Sequence, residues 1–204
     1  MKAHIITIGD EILIGQIIDT NSTFISKELI KIGIEMTKIV SIGDSKKEIL
    51  LSLKNAQNNY DIVIITGGLG PTNDDITKDA FCEFFNDKLV HNQRILTHIE
   101  KLFEKFVDNP INELNRAQAF LPSKAKLIPN QYGTAAGMSI KEKDTLFISL
   151  PGVPFEMKSM MTDFILPQIQ KEYKCPVILN KTLITYGKGE SYIAKKLKDF
   201  ESSI

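Results

Sequence analysis

The chain has 204 residues, 43% of them hydrophobic and 25% charged, which suits a soluble globular protein with one full domain and a remainder. Its 25 Lys and Arg balance 25 Asp and Glu, which excludes a global field drawing it to nucleic acid or an anionic membrane. No segment approaches the ~20 apolar residues of a membrane span, the first apolar run is too short for a signal peptide, and Cys82 and Cys175 fit neither a disulfide framework nor a metal spacing. A cytoplasmic protein is expected, with neither nucleic acid nor membrane as partner.

Short β-branched runs alternate with amphipathic stretches, the pattern of an α/β fold with a mostly parallel sheet and helices on both faces. His4 to Ile8 predicts the first strand. Asp19 to Ile32 predicts a helix with Phe24, Ile25, Leu29 and Ile32 on one side, stopped by Gly33. Ile34 to Ile42 is the next strand, and Ser45 with Glu48 reads as a capping box before a second helix. Asp61 to Thr66 is an uninterrupted apolar strand of the kind buried on both faces. Helices are expected after Ile76, over Gln93 to Val107 and over Ile111 to Phe120. Leu127-Ile128 and Thr145 to Leu150 read as strands, and Pro154 to Glu172 as one long helix with Pro in its first turn. Cys175-Pro176 reads as a boundary, followed by a strand over Val177 to Tyr186 and a helix over Ser191 to Phe200, too little sequence for a core of its own.

Four segments join a strand to a helix or loop in a way that suits an anionic ligand. Gly67-Gly68-Leu69-Gly70-Pro71-Thr72-Asn73-Asp74-Asp75 follows the buried strand and precedes a helix. Glycines there let backbone amides approach an anion, and the helix start adds positive potential. Two adjacent carboxylates beside such a seat would repel a phosphate unless a cation bridged them, as Mg²⁺ does with one or two carboxylates and substrate oxygens. The competing account makes Asp75 a helix cap and the glycines plain turns. The placement after a central strand, where open α/β sheets hold ligands, favours the functional account. Gly9-Asp10-Glu11 ends the first strand on the same rim, with Asp19-Thr20-Asn21 close behind; its acids share the cation or orient a water, or else Asp10 is a loop residue and Asp19 a cap. Leu150-Pro151-Gly152-Val153-Pro154-Phe155-Glu156 leaves a strand for a helix and offers free amides, or is only a tight turn. Gly133-Thr134-Ala135-Ala136-Gly137 is a small-residue loop that passes under a ligand or simply turns. His4, His91 and His98 form no metal spacing, and Met157, Met160 and Met161 at helical spacing read as core.

With these blocks in this order, joined by Asn115-Arg116-Ala117-Gln118-Ala119 and Gly187 to Ser191, the chain resembles the molybdopterin-binding domain superfamily and, within it, the competence/damage-inducible CinA family. The likeness runs over essentially the whole chain. Many members of that family carry Lys where this chain has Ala117 and Pro where it has Ala136. The resemblance implies a three-layer α/β/α domain over residues 1–174, with 175–204 as the truncated start of a small α+β middle domain. It also implies metal-dependent hydrolysis of the pyrophosphate of ADP-ribose or a related dinucleotide such as FAD, giving AMP and a phosphorylated fragment. The expected cofactor is a divalent metal (Mg²⁺, Mn²⁺ or Co²⁺), the partner a small-molecule dinucleotide, and the assembly a homo-oligomer. Asp75 falls on the superfamily's key acid and Asp10 on its first acidic motif, so these two are the expected metal ligands. Asp75, Asp74 and Glu11 are the expected catalytic group, with Glu156 a second candidate base. Gly67, Gly68, Gly70, Thr72, Asn21, Gly133, Thr134, Pro151, Gly152 and Glu156 are the expected substrate contacts. Two other readings stay open: molybdopterin nucleotidyl or molybdenum transfer, whose enzymes favour Thr at Leu69 and Arg at Asp74, and a non-catalytic nucleotide-binding domain. The amidohydrolase domain that ends many full-length relatives lies outside this sequence, and none of its activity is carried over.

Overall fold

The computed structural model describes residues 1–106, 110–173, 176, 182 and 184–203. Six strands form one sheet in the order β2-β1-β3-β8-β7-β6. Its parallel part comprises β1 (Lys2–Ile8), β2 (Glu35–Ile42), β3 (Ile62–Thr66) and β8 (Thr145–Leu150), and β7 (Gly137–Glu142) and β6 (Lys126–Ile128) extend it antiparallel. All five residues of β3 are buried, as its unbroken apolar run requires of a strand with neighbours and helices on every side.

The period of two along the central strands sorts their side chains into two layers. Ala3, Ile5, Ile62, Ile64, Ile148 and Leu150 face a core shared with α2 (Thr20–Lys31), α7 (Pro154–Met160) and α8 (Leu166–Glu172). Ile6, Ile8, Val63, Ile65 and Phe147 face the opposite core, covered by α3 (Lys46–Ala56), α4 (Thr77–Phe84) and α5 (Gln93–Phe106). Phe84 and Phe85 meet Phe147 edge-on at 5.8 and 5.2 Å, the arrangement that ring quadrupoles favour. The three-layer α/β/α expectation holds.

A short helix, α1 (Asp10–Leu13), follows β1 directly. Several local expectations change. Ser45 does not cap α3, and Glu48 turns back to accept from the Gly43 amide at 3.2 Å, because the Ser45 amide already donates to the Gly43 carbonyl. The helix expected over Ile111 to Phe120 is a short α6 (Glu113–Ala117), after which Phe120–Pro122 forms β5, paired antiparallel with β4 (Leu89–His91). The long helix after Pro154 widens into a π-helical turn over Met161–Ile165 before α8. Pro167 lacks the amide that would bond four residues back and its ring crowds that carbonyl, so the wider turn accommodates it. Of the strand expected over Val177 to Tyr186, residues 177–181 and 183 lie outside the described residues, as does Cys175. The last helix, α9 (Glu190–Glu201), buries none of its residues. Among the described residues no helix is long and apolar enough to cross a membrane.

Candidate functional site

Parallel strands deliver their C-terminal ends to one edge, and β1 lies between β2 and β3, so the chain's crossovers leave β1 in opposite directions. Such a switch point opens a crevice between the loops. Here Ile8, Gly9 and Glu11 after β1, Asp44 after β2, the Gly67 loop after β3 and Pro151 to Val153 after β8 line one cleft of about 460 Å³, completed by Gln118, Thr134, Ala135 and Glu156. That volume lies in the range of small-ligand sites.

The Gly67 loop is held by its own carboxylate. Asp75 accepts from the Gly70 amide at 2.7 Å through Oδ1, and from the Thr72 amide at 2.9 Å and the Thr72 hydroxyl at 2.5 Å through Oδ2. Asp75 therefore does not cap α4, whose N-cap is Ile76 with no side-chain bond. The same bonds redirect the expected anion donors. The Gly70 amide is engaged by Asp75 and the Gly67 amide by the Leu150 carbonyl at 3.1 Å, so neither is left for a phosphate. Thr77 takes the Gly68 carbonyl at the helix start, leaving the Gly68 amide as the donor of this glycine set without a partner among the described residues. Thr72 is a loop staple on the exposed side and does not line the cleft. Gly67 itself has φ +114°, and a Cβ there would lie 2.2 Å from the Ile8 carbonyl oxygen, so only glycine lets the ends of β1 and β3 close the floor.

Glu11, Asp44, Asp74 and Asp75 line the cleft together. Burial pushes the Asp44 carboxyl above its ordinary range, the Asp10 amide works against that rise, and the charges of Asp10, Glu11 and Asp74 add to it. The exposed Asp74 is held below its ordinary range by the neighbouring Thr72 hydroxyl and its own amide. Asp10, expected as a metal ligand, forms instead a reciprocal pair with Asp44: each backbone amide donates to the other's carboxylate, at 3.0 and 3.2 Å. Asp10 thus ties the β1 and β2 loops together behind the cleft, and Asp44 is the acid that faces it. Among the described residues no three His, Cys, Asp or Glu side chains converge as a ready-made metal cage. A hard cation here would need ligand oxygens to complete its shell, which fits the way Mg²⁺ is held against phosphates.

Asn21 reaches the edge from the start of α2, which Asp19 caps by accepting from the Ser22 amide at 2.9 Å. The Asn21 side chain is buried and donates to the Thr66 hydroxyl at 3.0 Å and the Gly152 carbonyl at 2.8 Å, while Thr66 donates to the Pro151 carbonyl at 3.0 Å. Its observed work is to join β3, α2 and the Pro-Gly turn, away from the cleft's lining. Glu156 accepts from Asn130 at 2.6 Å and packs on Gly133, where a Cβ would meet the carboxyl at 2.4 Å. Gly133 lies beneath Glu156, on the rim of a neighbouring cavity, while Thr134 faces both.

Three residues were not foreseen. Asp44 follows β2 as one isolated acid, and nothing in its spacing marks it. Gln118 is 2% exposed, and Lys78 donates to its backbone carbonyl at 3.0 Å. Burial brings the Lys78 ammonium down to about 8, partly offset by the charges of Asp75 and Asp79. Between about pH 8 and 10.5 the unfolded chain keeps a proton on Lys78 that the folded chain has lost, so this group makes stability rise with pH across that window. Lys78→Met should remove the contribution: from pH 7.5 to 10 the difference in Tm shifts in favour of the natural protein, and a pH-independent difference rules the effect out.

One sheet between two layers of helices, with an acid-lined cleft at its switch point, is the α/β frame of this chain. The chain belongs to the family described as the probable molybdopterin binding domain, whose model matches residues 4–171. It is 52% identical over 204 residues to a CinA-like protein of Flavobacterium psychrophilum, and 45% identical over 203 residues to one of Cytophaga hutchinsonii. These alignments cover 100% and 99% of this chain but 49% and 48% of the relatives, so the chain spans about half their length. The solved CinA protein of Thermoplasma acidophilum superposes with a TM-score of 0.74 at 30% identity, covering 84% of this chain and 96% of that one. The MoaB molybdopterin biosynthesis enzyme of Thermus thermophilus shares the fold, with a TM-score of 0.54 at 19% identity over 84% and 94% of the two chains.

Proposed function

We propose that the cleft hydrolyses the pyrophosphate bond of ADP-ribose or a related dinucleotide such as FAD, with a divalent cation bound. The observation that carries this reading is five carboxylates, Glu11, Asp44, Asp74, Asp75 and Glu156, facing the same cleft as the Gly68 amide, which has no partner among the described residues, and the Pro151–Val153 turn. An anionic ligand enters such an acid-lined cleft only with a cation between, and a diphosphate has oxygens for both the cation and the amides. One or two of the carboxylates Asp44, Asp74 and Asp75, with diphosphate oxygens completing the shell, would hold Mg²⁺, Mn²⁺ or Co²⁺, which when bound would neutralise charge developing on the phosphoryl oxygens. The amides of Gly68 and of the Gly152 turn then orient the diphosphate. Water adds to phosphorus, the bridging P–O bond breaks, and AMP leaves with a phosphorylated fragment. Glu11 and Glu156 are the carboxylates left to take the water's proton.

Leu69 and Asp74 argue against molybdopterin transfer. An acid at position 74 repels the phosphate that the Arg of such enzymes would attract, and the exposed Asp74 carboxyl is held below its ordinary range by the Thr72 hydroxyl. The test incubates the protein with ADP-ribose and FAD, with and without each of the three metals, and follows AMP. Metal-dependent AMP release is expected. Molybdopterin adenylylation in its place would move the chain to cofactor synthesis, and tight binding without turnover would leave a binding domain. We further propose that the 175–204 segment begins a second unit and that the protein self-associates, both on family likeness alone.

A further inference from the structure

We propose that the Gln118 side chain binds the vicinal hydroxyls of the sugar joined directly to the diphosphate, an inference that rests on the cleft being a diphosphate site. Gln118 lines that cleft and is 2% exposed, yet neither its Nε2 nor its Oε1 has a hydrogen-bond partner among the described residues. A buried carboxamide with both ends unmatched is unusual in a native chain, and a ligand that supplies both partners accounts for it. That ligand group must be uncharged, because an anion would leave Oε1 unmatched and a cation would leave Nε2 unmatched. It must also both accept and donate, which a sugar diol does at adjacent oxygens.

The position selects the sugar over the base. Lys78 bridges Gln118 and Asp75: its Nζ donates to the Gln118 backbone carbonyl at 3.0 Å, and it lies within reach of the Asp75 charge. Gln118 therefore lies toward the Asp75 side of the cleft, and the sugar is the neutral hydroxyl-bearing group nearest to a diphosphate held there. A nucleobase lies a full sugar further out. The other neutral polar side chain lining the cleft is Thr134, on the loop before β7. No other side-chain amide lines the cleft among the described residues.

The test uses methylene-bridged diadenosine diphosphate, which cannot be cleaved at its bridge, and its 2′,3′-dideoxy counterpart, titrated by calorimetry with Mg²⁺ into the full chain. The natural protein should bind the ribose form roughly tenfold tighter or more, as sites built around a hydroxyl reject its absence. Gln118→Leu should bring the two within about twofold by abolishing that term, with no fall in Tm, since no protein group loses a partner. Gln118→Met, closer in shape, repeats the measurement should the Leu variant fail to fold. Equal binding of both forms by the natural protein, or an unchanged preference in the variants, overturns the assignment while the diphosphate reading stands. If neither form binds, the diphosphate reading fails and takes this inference with it.

Discussion

Asp75→Asn is expected to lower AMP release by on the order of 10³-fold while the chain stays folded, as losses of preorganised electrostatic groups in active sites do. The side chain has two tasks. It carries negative charge to the cleft that would hold the cation, and it gathers the Gly70 and Thr72 donors that shape the loop. Asparagine keeps one oxygen for the Gly70 amide but turns an N–H toward the Thr72 amide. That mismatch lies on an exposed stretch where water can replace the lost partner, so it costs about 1 kcal/mol, a Tm change of about 2–4 °C. The two tasks separate cleanly: a large loss of turnover with a small loss of Tm. Unchanged AMP release in a folded variant removes Asp75 from the reaction.

Gly67→Ala should cost far more stability. The backbone there is left-handed at φ +114°, and the added methyl would start 2.2 Å from the carbonyl oxygen of Ile8, which is paired with Ile42 in the parallel sheet. Strain of about 1–3 kcal/mol for the dihedral and a similar sum for overpacking give about 4 kcal/mol, or a Tm lower by about 10 °C. Gly15→Ala is the control. Its φ is +73°, but nothing lies within 4 Å of a Cβ, so the conformational cost of about 1 kcal/mol stands alone. Equal losses of Tm in the two variants would show that the β1–β3 contact tolerates a side chain.

The sheet was legible where burial imposes a pattern. β3 reads as buried because Ile62 to Ile65 is an unbroken apolar run, and α2 because its apolar residues recur at helical spacing up to Gly33. β7 was missed because Gly137 to Glu142 mixes polar and apolar residues, and β4 and β5 because three-residue strands leave no period to detect. The π-helical turn at Met161 depends on how a helix accommodates Pro167, which periodicity does not register.

Of the site, the glycine loop and the Pro-Gly turn were visible as strand-to-helix punctuation. The roles within them were not. Whether a loop amide faces a ligand or its own carboxylate depends on where Asp75 turns, and both outcomes share one sequence. Asp10 and Asp44 show the same limit: either acid could face the cleft, and the pairing of β1 with β2 decides between them. Gln118 lies in the block Asn115-Arg116-Ala117-Gln118-Ala119, but only its depth in the fold marks it out.

The buried amide of Asn21 carries a consequence for anyone recombining these proteins. One side chain fastens the helix entrance, the end of the third strand and the turn after the last to a common point, across sequence separations of 45 and 131 residues. Swapping the glycine-rich cassette alone from a cousin that places valine at Thr66 would strand one Asn21 hydrogen and deprive the Pro151 carbonyl of its donor. These three stretches therefore travel as a single inheritable unit, and chimaeras that respect the unit should express and fold where cassette grafts do not.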